Sequence, residues 1–461
     1  MKILTIFIPI KILIYMQFFG CNFLLRKIPY IGFIFWPLEI FALPRILDNK
    51  AVRLRKLLTY LGPTFIKFGQ ILSTRNDIVG TQIANELSLL QDKLPAFSYK
   101  KVKQIITLET EKKVNEIFTN FAEIPVAAAS IAQVHKAMLP SGDAVAVKIL
   151  RPGIRKKFLS EIRFLYSVAT ILNLFKNFKR LKFKEIIRMF RHVTEQELNL
   201  SFEAAQNSKL ADNLKNNHNI IIPEIYWELS STKMMVSKWI EGTKINNFKA
   251  TKEIAQKLGD NLVLCYYEQA YRDGYFHADL HPGNILITKD YKIAFVDFGI
   301  MGHLAKKDRI AVAQIVYGFI KRDYDLVAKI HKIAGYIPKD ADVTEFSLAC
   351  RAIGEPIFGK NAQDISISKL MAQLFLITER FGMQTQPQLL LLQKTLILIE
   401  GVGAMLNPNL NMWNLGEPFM QEWAKENLSY TARLKDKFTE LHEVINELPE
   451  LLKKLKLQLD V

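Results

Sequence analysis

The chain has 461 residues, 49% of them hydrophobic and 23% charged, with a formal net charge of +17. This composition excludes a disordered or fibrous chain and leaves room for two or three domains with ample cores. Cys21, Cys265 and Cys350 stand far apart, which excludes a disulfide framework and a cysteine metal site.

The first 45 residues hold two apolar stretches. Residues 3–20 are apolar except for Thr5, Lys11 and Gln17, and residues 28–43 form a second, aromatic-rich run. Both contain proline and both are near the lower length limit for a span. Lys11 is costly at a bilayer centre. The expectation is an interfacial or re-entrant anchor flanked by Arg26, Lys27 and Arg45. No small-residue cleavage site follows, which argues against a signal peptide. Residues 1–60 carry nine Lys/Arg against Glu39 and Asp48.

Residues 50–115 read as helices. Within them Lys67 lies in TFIKFGQIL, a pattern that by itself gives a lysine on a solvated face. Residues 120–245 read as a mixed domain, with strands expected near 132–138, 144–150, 224–229 and 233–239. Ala127-Ala128-Ala129-Ser130-Ile131-Ala132-Gln133-Val134-His135 opens it. An alanine run resists the positive φ angles that glycine permits, so this loop should be stiff. Ser141-Gly142-Asp143 signals a hairpin turn, and the strand after it, Val145-Ala146-Val147-Lys148-Ile149, carries one lysine. That lysine is either a functional cation or a strand-end residue that snorkels to water.

Residues 151–190 carry eleven Lys/Arg against Glu161 and Glu185, interleaved with Phe and Leu. No helix-turn-helix, RNP or finger pattern is present, so nucleic acid is disfavoured. A basic, aromatic-rich surface fits an anionic membrane leaflet, and a solvated helix face fits residues 151–190 equally well. Met234 to Gly242 reads as a connection between lobes.

Residues 246–410 read as a largely helical domain, and they hold the strongest signal. His277-Ala278-Asp279-Leu280-His281-Pro282-Gly283-Asn284 is followed by Asp297-Phe298-Gly299. Phosphoryl transfer of the protein-kinase type needs one carboxylate to accept the proton of the attacking hydroxyl. It also needs an amide oxygen and a second carboxylate to hold Mg2+ on the nucleotide phosphates. Asp279, Asn284 and Asp297 supply those types at that spacing. With them in place, Lys148 becomes the candidate phosphate-binding lysine. The Gln386-Pro387 break and the run from Leu389 to Leu398 mark a buried helix, and Lys394 and Glu400 argue against its spanning a membrane. Residues 411–461 read as amphipathic helices. Leu434, Phe438, Leu441, Ile445, Leu448, Leu452 and Leu455 form a stripe that could cover the protein itself, a membrane or a second copy in a homodimer.

PVAAASIAQVH, VAVK, HADLHPGN and VDFG together resemble the UbiB/ADCK, or aarF-domain, family of atypical kinases. Leu61 to Gln70 matches its KxGQ signature, and Glu86 to Pro95 matches the segment after it. The resemblance runs from about residue 50 to about residue 410. It implies an α+β fold: a two-lobed, kinase-like body with an added N-terminal helical KxGQ element and a mostly helical C-lobe. It implies Glu203 as the helix partner of Lys148, and residues 127–132 with Val134 over the nucleotide. It also implies Lys67 and Gln70 in an element that folds over the active site, with Glu197 pairing Lys67. The family's ExD motif is here Glu197-Leu198-Asn199, so a charge is missing and no metal role carries over to Asn199.

The resemblance further implies ATP and Mg2+ as cofactors and a role in ubiquinone biosynthesis at the inner membrane of a bacterium, active site facing the cytoplasm. ATP turnover would serve the handling of lipid-like quinone precursors, with ubiquinone-biosynthesis enzymes as partners. A true protein or small-molecule kinase and a non-catalytic, ATP-gated scaffold are the alternatives. Older naming ties relatives to 2-polyprenylphenol hydroxylation, but no flavin fingerprint or His/carboxylate iron triad is present. Many bacterial relatives end in two transmembrane helices, whereas this chain ends in LLKKLKLQLDV.

Overall fold

The computed structural model describes residues 2–24, 48–73, 79–90, 95–175, 183–358, 377, 381 and 386–428. The apolar stretch 28–43 and the stripe from Leu434 to Leu455 lie outside the described residues. The chain folds as two compact units, Met1–Ser208 with Pro223–Ile240, and Lys209–Ile222 with Glu241–Val461.

The first unit starts with α1 (Lys2–Phe18), α2 (Lys50–Leu61), α3 (Pro63–Ser73) and α4 (Thr81–Leu87). Asn49 begins α2, its side-chain oxygen accepting from the Ala51 N–H at 3.2 Å. Pro63 opens α3 where no N–H is needed. Leu54, Leu57, Leu58 and Leu61 recur at helical spacing and close with Phe65, Ile66 and Leu87 into one apolar cluster. Pro9 sits inside α1 without ending it. Met16 and Phe19 are buried, while Ile10, Ile14 and Phe18 stay exposed.

After α5 (Tyr99–Thr110) and α6 (Val114–Ile117) come four strands, β1 (Asn120–Phe121), β2 (Ala127–Ala128), β3 (Ala132–Met138) and β4 (Ala144–Leu150). Then follow α7 (Ile154–Leu172), α8 (Phe183–Glu197) and α9 (Leu200–Leu214). β5 (Ile220–Ile221) belongs to the second unit, and β6 (Met234–Lys238) returns to the first. The sheet runs β1-β3-β4-β6, with β2 added to β3, and every pairing is antiparallel. Alternation along β4 buries Val145, Val147 and Ile149 completely, each contributing about 1.5–3 kcal/mol. The same alternation sends Lys148 to the opposite face.

The strand expected over 224–229 is not formed. One bridge, Ile225 to Ser237, remains, and Trp227–Leu229 is a short 3-10 turn. The serines after it end the ladder: Ser230 Oγ accepts from the Val236 N–H, and Ser231 Oγ from the Met234 N–H.

The second unit adds β7 (Thr243–Lys244), α10 (Lys252–Tyr267), β8 (Tyr275–His277), β9 (Ile285–Ile287), β10 (Ile293–Phe295) and β11 (Met301–His303). α11 (Lys306–Ile320), α12 (Tyr324–Ile333), α13 (Val343–Phe358), α14 (Pro387–Leu406) and α15 (Met412–Leu428) complete it. A small sheet runs β5-β10-β9-β7, and β8 pairs β11. Gln388–Leu406 is, among the described residues, the one helix long and apolar enough to cross a membrane by length and composition. Here it buries Leu392, Thr395, Ile399 and Val402, and Leu392, Ile399 and Val402 join the cluster that contains Leu258, Leu262 and Tyr266 of α10.

Candidate functional site

In the first unit, Lys148 Nζ donates to Glu203 Oε1 at 2.5 Å, with side chains 14% and 6% exposed. β4 supplies the lysine and the first turns of α9 the glutamate. Asn199 starts α9, its Oδ1 accepting from the Ser201 N–H at 3.1 Å; asparagine caps a helix as well as aspartate does. Lys67 Nζ meets Glu197 Oε1 at 3.2 Å. Gln70 Nε2 donates to the Leu90 carbonyl at 3.2 Å, so the two sequence blocks of this element are physically tied. Gly69 lets them close: a Cβ there would stand 2.8 Å from Leu58 Cδ1 and closer still to Leu90.

The alanine loop turns tightly, the Ala129 N–H donating to the Ala132 carbonyl at 2.8 Å. None of residues 127–132 has positive φ, as alanine requires. Val134 stands across from Lys148 in the β3–β4 ladder. The Ser130 hydroxyl is buried without a hydrogen-bond partner, a donor suited to a phosphate oxygen.

Arg151, which composition alone placed in a basic run, pins this loop. Its Nε and Nη2 donate to the Ala129 carbonyl at 3.0 and 2.8 Å, and Nη2 also reaches the Pro95 carbonyl at 2.8 Å. Its guanidinium lies over the Phe97 ring. Gln133 and His135 knit the same region: Gln133 Nε2 meets His135 Nε2 at 2.8 Å, and His135 Nδ1 meets the Ala122 carbonyl at 2.7 Å. Burial lowers the His135 pKa, with the carbonyl opposing it, so the ring is neutral and carries its proton on Nδ1.

In the second unit, a π-helical turn at Glu268–Asp273 precedes β8, an irregularity common at functional sites. It aims Gln269, whose Oε1 accepts from the His277 N–H at 3.0 Å. His277 Nδ1 in turn accepts from the Asp279 N–H at 3.2 Å. Burial depresses the His277 pKa, with Asp279 and Asp297 pulling the other way; the neutral ring serves as a backbone brace. Asn284 is buried, and its Nδ2 donates to the Asp279 carbonyl at 3.0 Å. That bond leaves Oδ1 as the atom available to a cation. Asp297 is exposed with φ +64°, the left-handed region that aspartate enters more readily than most side chains.

Among the described residues no cluster of three or more His, Cys, Asp or Glu side chains gathers to hold a metal. A hard amide oxygen and one carboxylate instead suit Mg2+, which takes the rest of its shell from phosphate and water.

A last contact joins two distant stretches of sequence. Lys394 Nζ, from α14, donates to Asp279 Oδ1 at 2.8 Å. Its visible sign in the sequence is a single cation inside the apolar run 389–398.

A lysine–glutamate pair on sheet and helix, and a braced HxDxxxxN loop followed by a DFG aspartate, define a protein of the kinase-like class. Residues 89–331 match the model of the ABC1 atypical kinase-like domain, and residues 350–411 match the UbiB helical domain. A relative from Marinobacter nauticus, named "Probable protein kinase UbiB", is 37% identical over 429 residues, 91% of this chain and 78% of that one. One from Pseudomonas putida with the same name is 38% identical, over 87% of this chain and 75% of its own. The chain belongs to the UbiB/ABC1 family of atypical kinases. The fold is similar to that of Rv3197 of Mycobacterium tuberculosis, solved in complex with erythromycin. That match has a TM-score of 0.53 and 23% identity and covers 76% of this chain and 90% of the other.

Proposed function

We propose that the chain binds ATP with Mg2+ and transfers or hydrolyses its γ-phosphoryl group in support of ubiquinone biosynthesis. The observation that carries this reading is the Lys148–Glu203 pair at 2.5 Å, the arrangement in which a kinase lysine is ready to hold nucleotide phosphates. Met234 to Gly242 would take the adenine on backbone groups. Asn284 and Asp297 would hold Mg2+, which when bound neutralises phosphate charge. Asp279 would orient a water or a small hydroxyl and accept its proton. Relatives bearing the UbiB name support the pathway.

The exposed Ile10, Ile14 and Phe18 of α1 suit attachment to the cytoplasmic face of a bacterial inner membrane, where anionic lipid and quinone precursors are at hand. Lipid-like precursors are the proposed cargo and ubiquinone-biosynthesis enzymes the proposed partners.

The test is quinone content, by chromatography, in a bacterium lacking its own homologue and supplied with wild type, Lys148→Ala, Asp279→Asn or Asp297→Asn. Restoration by wild type alone is expected. Failure of Lys148→Ala with success of Asp279→Asn would convert the reading to an ATP-gated scaffold. Transfer of labelled γ-phosphate to an acceptor other than water would make the protein a true kinase.

A further inference from the structure

From Leu389 to Leu398 the helix α14 carries one charged residue, Lys394. A lone cation in such a run either reaches water along its apolar stem or meets an anion. Lys394 meets Asp279, with the ammonium 40% and the carboxylate 28% exposed, so the pair is formed yet open to a ligand. The scaffold beneath it is fixed. Thr395 is fully buried, its hydroxyl returned to the Leu391 carbonyl at 2.8 Å, and Tyr266 donates to the Leu392 carbonyl at 3.4 Å. The loop from His277 to Asn284 has no Lys or Arg of its own. His281 Nε2 stands 3.9 Å from Asp279 Oδ2, beyond a direct bond, which leaves that oxygen available.

We propose that Lys394 is a further catalytic residue of phosphoryl transfer. It aims Asp279 through Oδ1 and gives its two other N–H groups to the γ-phosphoryl oxygens. The assignment rests on the ATP reading above. In hydrolysis, a water oxygen forms a bond to the γ-phosphorus as the bond to the bridging oxygen breaks. ADP leaves with that electron pair, the water proton passes to Asp279 Oδ2, and Asp279 later returns it to solvent. The ammonium offsets charge on the phosphoryl oxygens throughout. The UbiB helical domain, matched separately from the kinase-like domain, thereby completes the active centre.

The test is ATP hydrolysis by the purified full chain as wild type, Lys394→Met, Lys394→Arg, Asp279→Asn and Asp297→Asn, with Mg2+ and a fluorescent ATP analogue to measure binding. Lys394→Met should lower kcat about 100-fold and change analogue affinity less than about threefold. Retained binding shows that the variant is folded. Lys394→Arg should recover a large part of the rate, and Lys394→Met with Asp279→Asn should be no slower than the slower single variant. A wild-type rate in Lys394→Met would make the pair purely structural, and a faster one would make it a lock; either overturns the assignment. If Asp279→Asn and Asp297→Asn lose activity while Lys394→Met does not, this assignment alone fails. If wild type hydrolyses nothing, or both aspartate variants match it, the ATP reading fails and takes Lys394 with it.

Discussion

Lys67 and Glu197 pair at 3.2 Å across 130 residues of sequence, joining α3 to the end of α8, with side chains 15% and 8% exposed. Removing one partner of a largely buried pair strands the other charge, at a cost of about 3 kcal/mol. Lys67→Met should therefore lower the unfolding free energy by about 2–3 kcal/mol, and Lys67→Met with Glu197→Leu should recover most of it. Urea unfolding of the two single variants and the double variant reads the coupling. Simply additive losses would mean that the ions do not depend on each other.

Gly69 separates two opposing effects. Alanine gains about 1 kcal/mol over glycine within a helix, but here its Cβ would press on Leu58 and Leu90, and overpacking costs about 1–3 kcal/mol. Gly69→Ala should lose stability by about 1 kcal/mol net. Gly401, also helical, is exposed, and a Cβ added there meets nothing within 4 Å, so Gly401→Ala should gain about 1 kcal/mol. Thermal melts of both variants should move in opposite directions.

Lys148, Asp279, Asn284 and Asp297 are picked out by short local patterns with fixed spacing. Lys148 and Glu203 stand 55 residues apart and Lys67 and Glu197 further still, and their pairing came from the family resemblance rather than from any local pattern. Sequence pattern places Arg151 in a basic run and makes Lys394 an argument against a membrane span. Their contacts reach a carbonyl 22 residues away and a carboxylate 115 residues away, which periodicity does not report. The missing strand over 224–229 failed for another reason. Its apolar content suits a strand, but serine hydroxyls downstream compete for the backbone groups that would have extended the ladder.

Arg151→Lys tests the loop. Lysine keeps the charge but loses the fork that holds the Ala129 and Pro95 carbonyls together. If the alanine turn covers the nucleotide, its loosening should weaken ATP-analogue binding about tenfold, the equivalent of one charge-assisted hydrogen bond. Unchanged affinity would show that residues 127–132 do not touch the nucleotide.

Asn199→Asp restores the family's charge at the start of α9. Aspartate caps as well as asparagine, and an anion at a helix N-terminus gains about 0.3–1 kcal/mol. The melting temperature should hold or rise slightly. If Asn284 and Asp297 hold the cation, as proposed, the Mg2+ concentration for half-maximal hydrolysis should shift less than about twofold. A tenfold drop in that requirement would place position 199 in the metal site.

His331 sets a pH dependence of stability. It is buried beside Phe346 and Tyr336, its Nδ1 donating to the Val327 carbonyl at 2.8 Å. Burial lowers its pKa from 6.5 to about 4, the carbonyl opposing only in part. Below pH 6.5 the unfolded chain takes up a proton that the folded chain refuses until about pH 4. Stability is therefore whole above 6.5 and lost as pH falls through this window, by up to about 3 kcal/mol. His277, depressed in the same direction, adds to the loss. His331→Phe keeps an apolar ring and removes one titration, so urea midpoints measured from pH 7 to pH 4 should fall less steeply than in wild type. An unchanged slope would show that His331 titrates alike in both states.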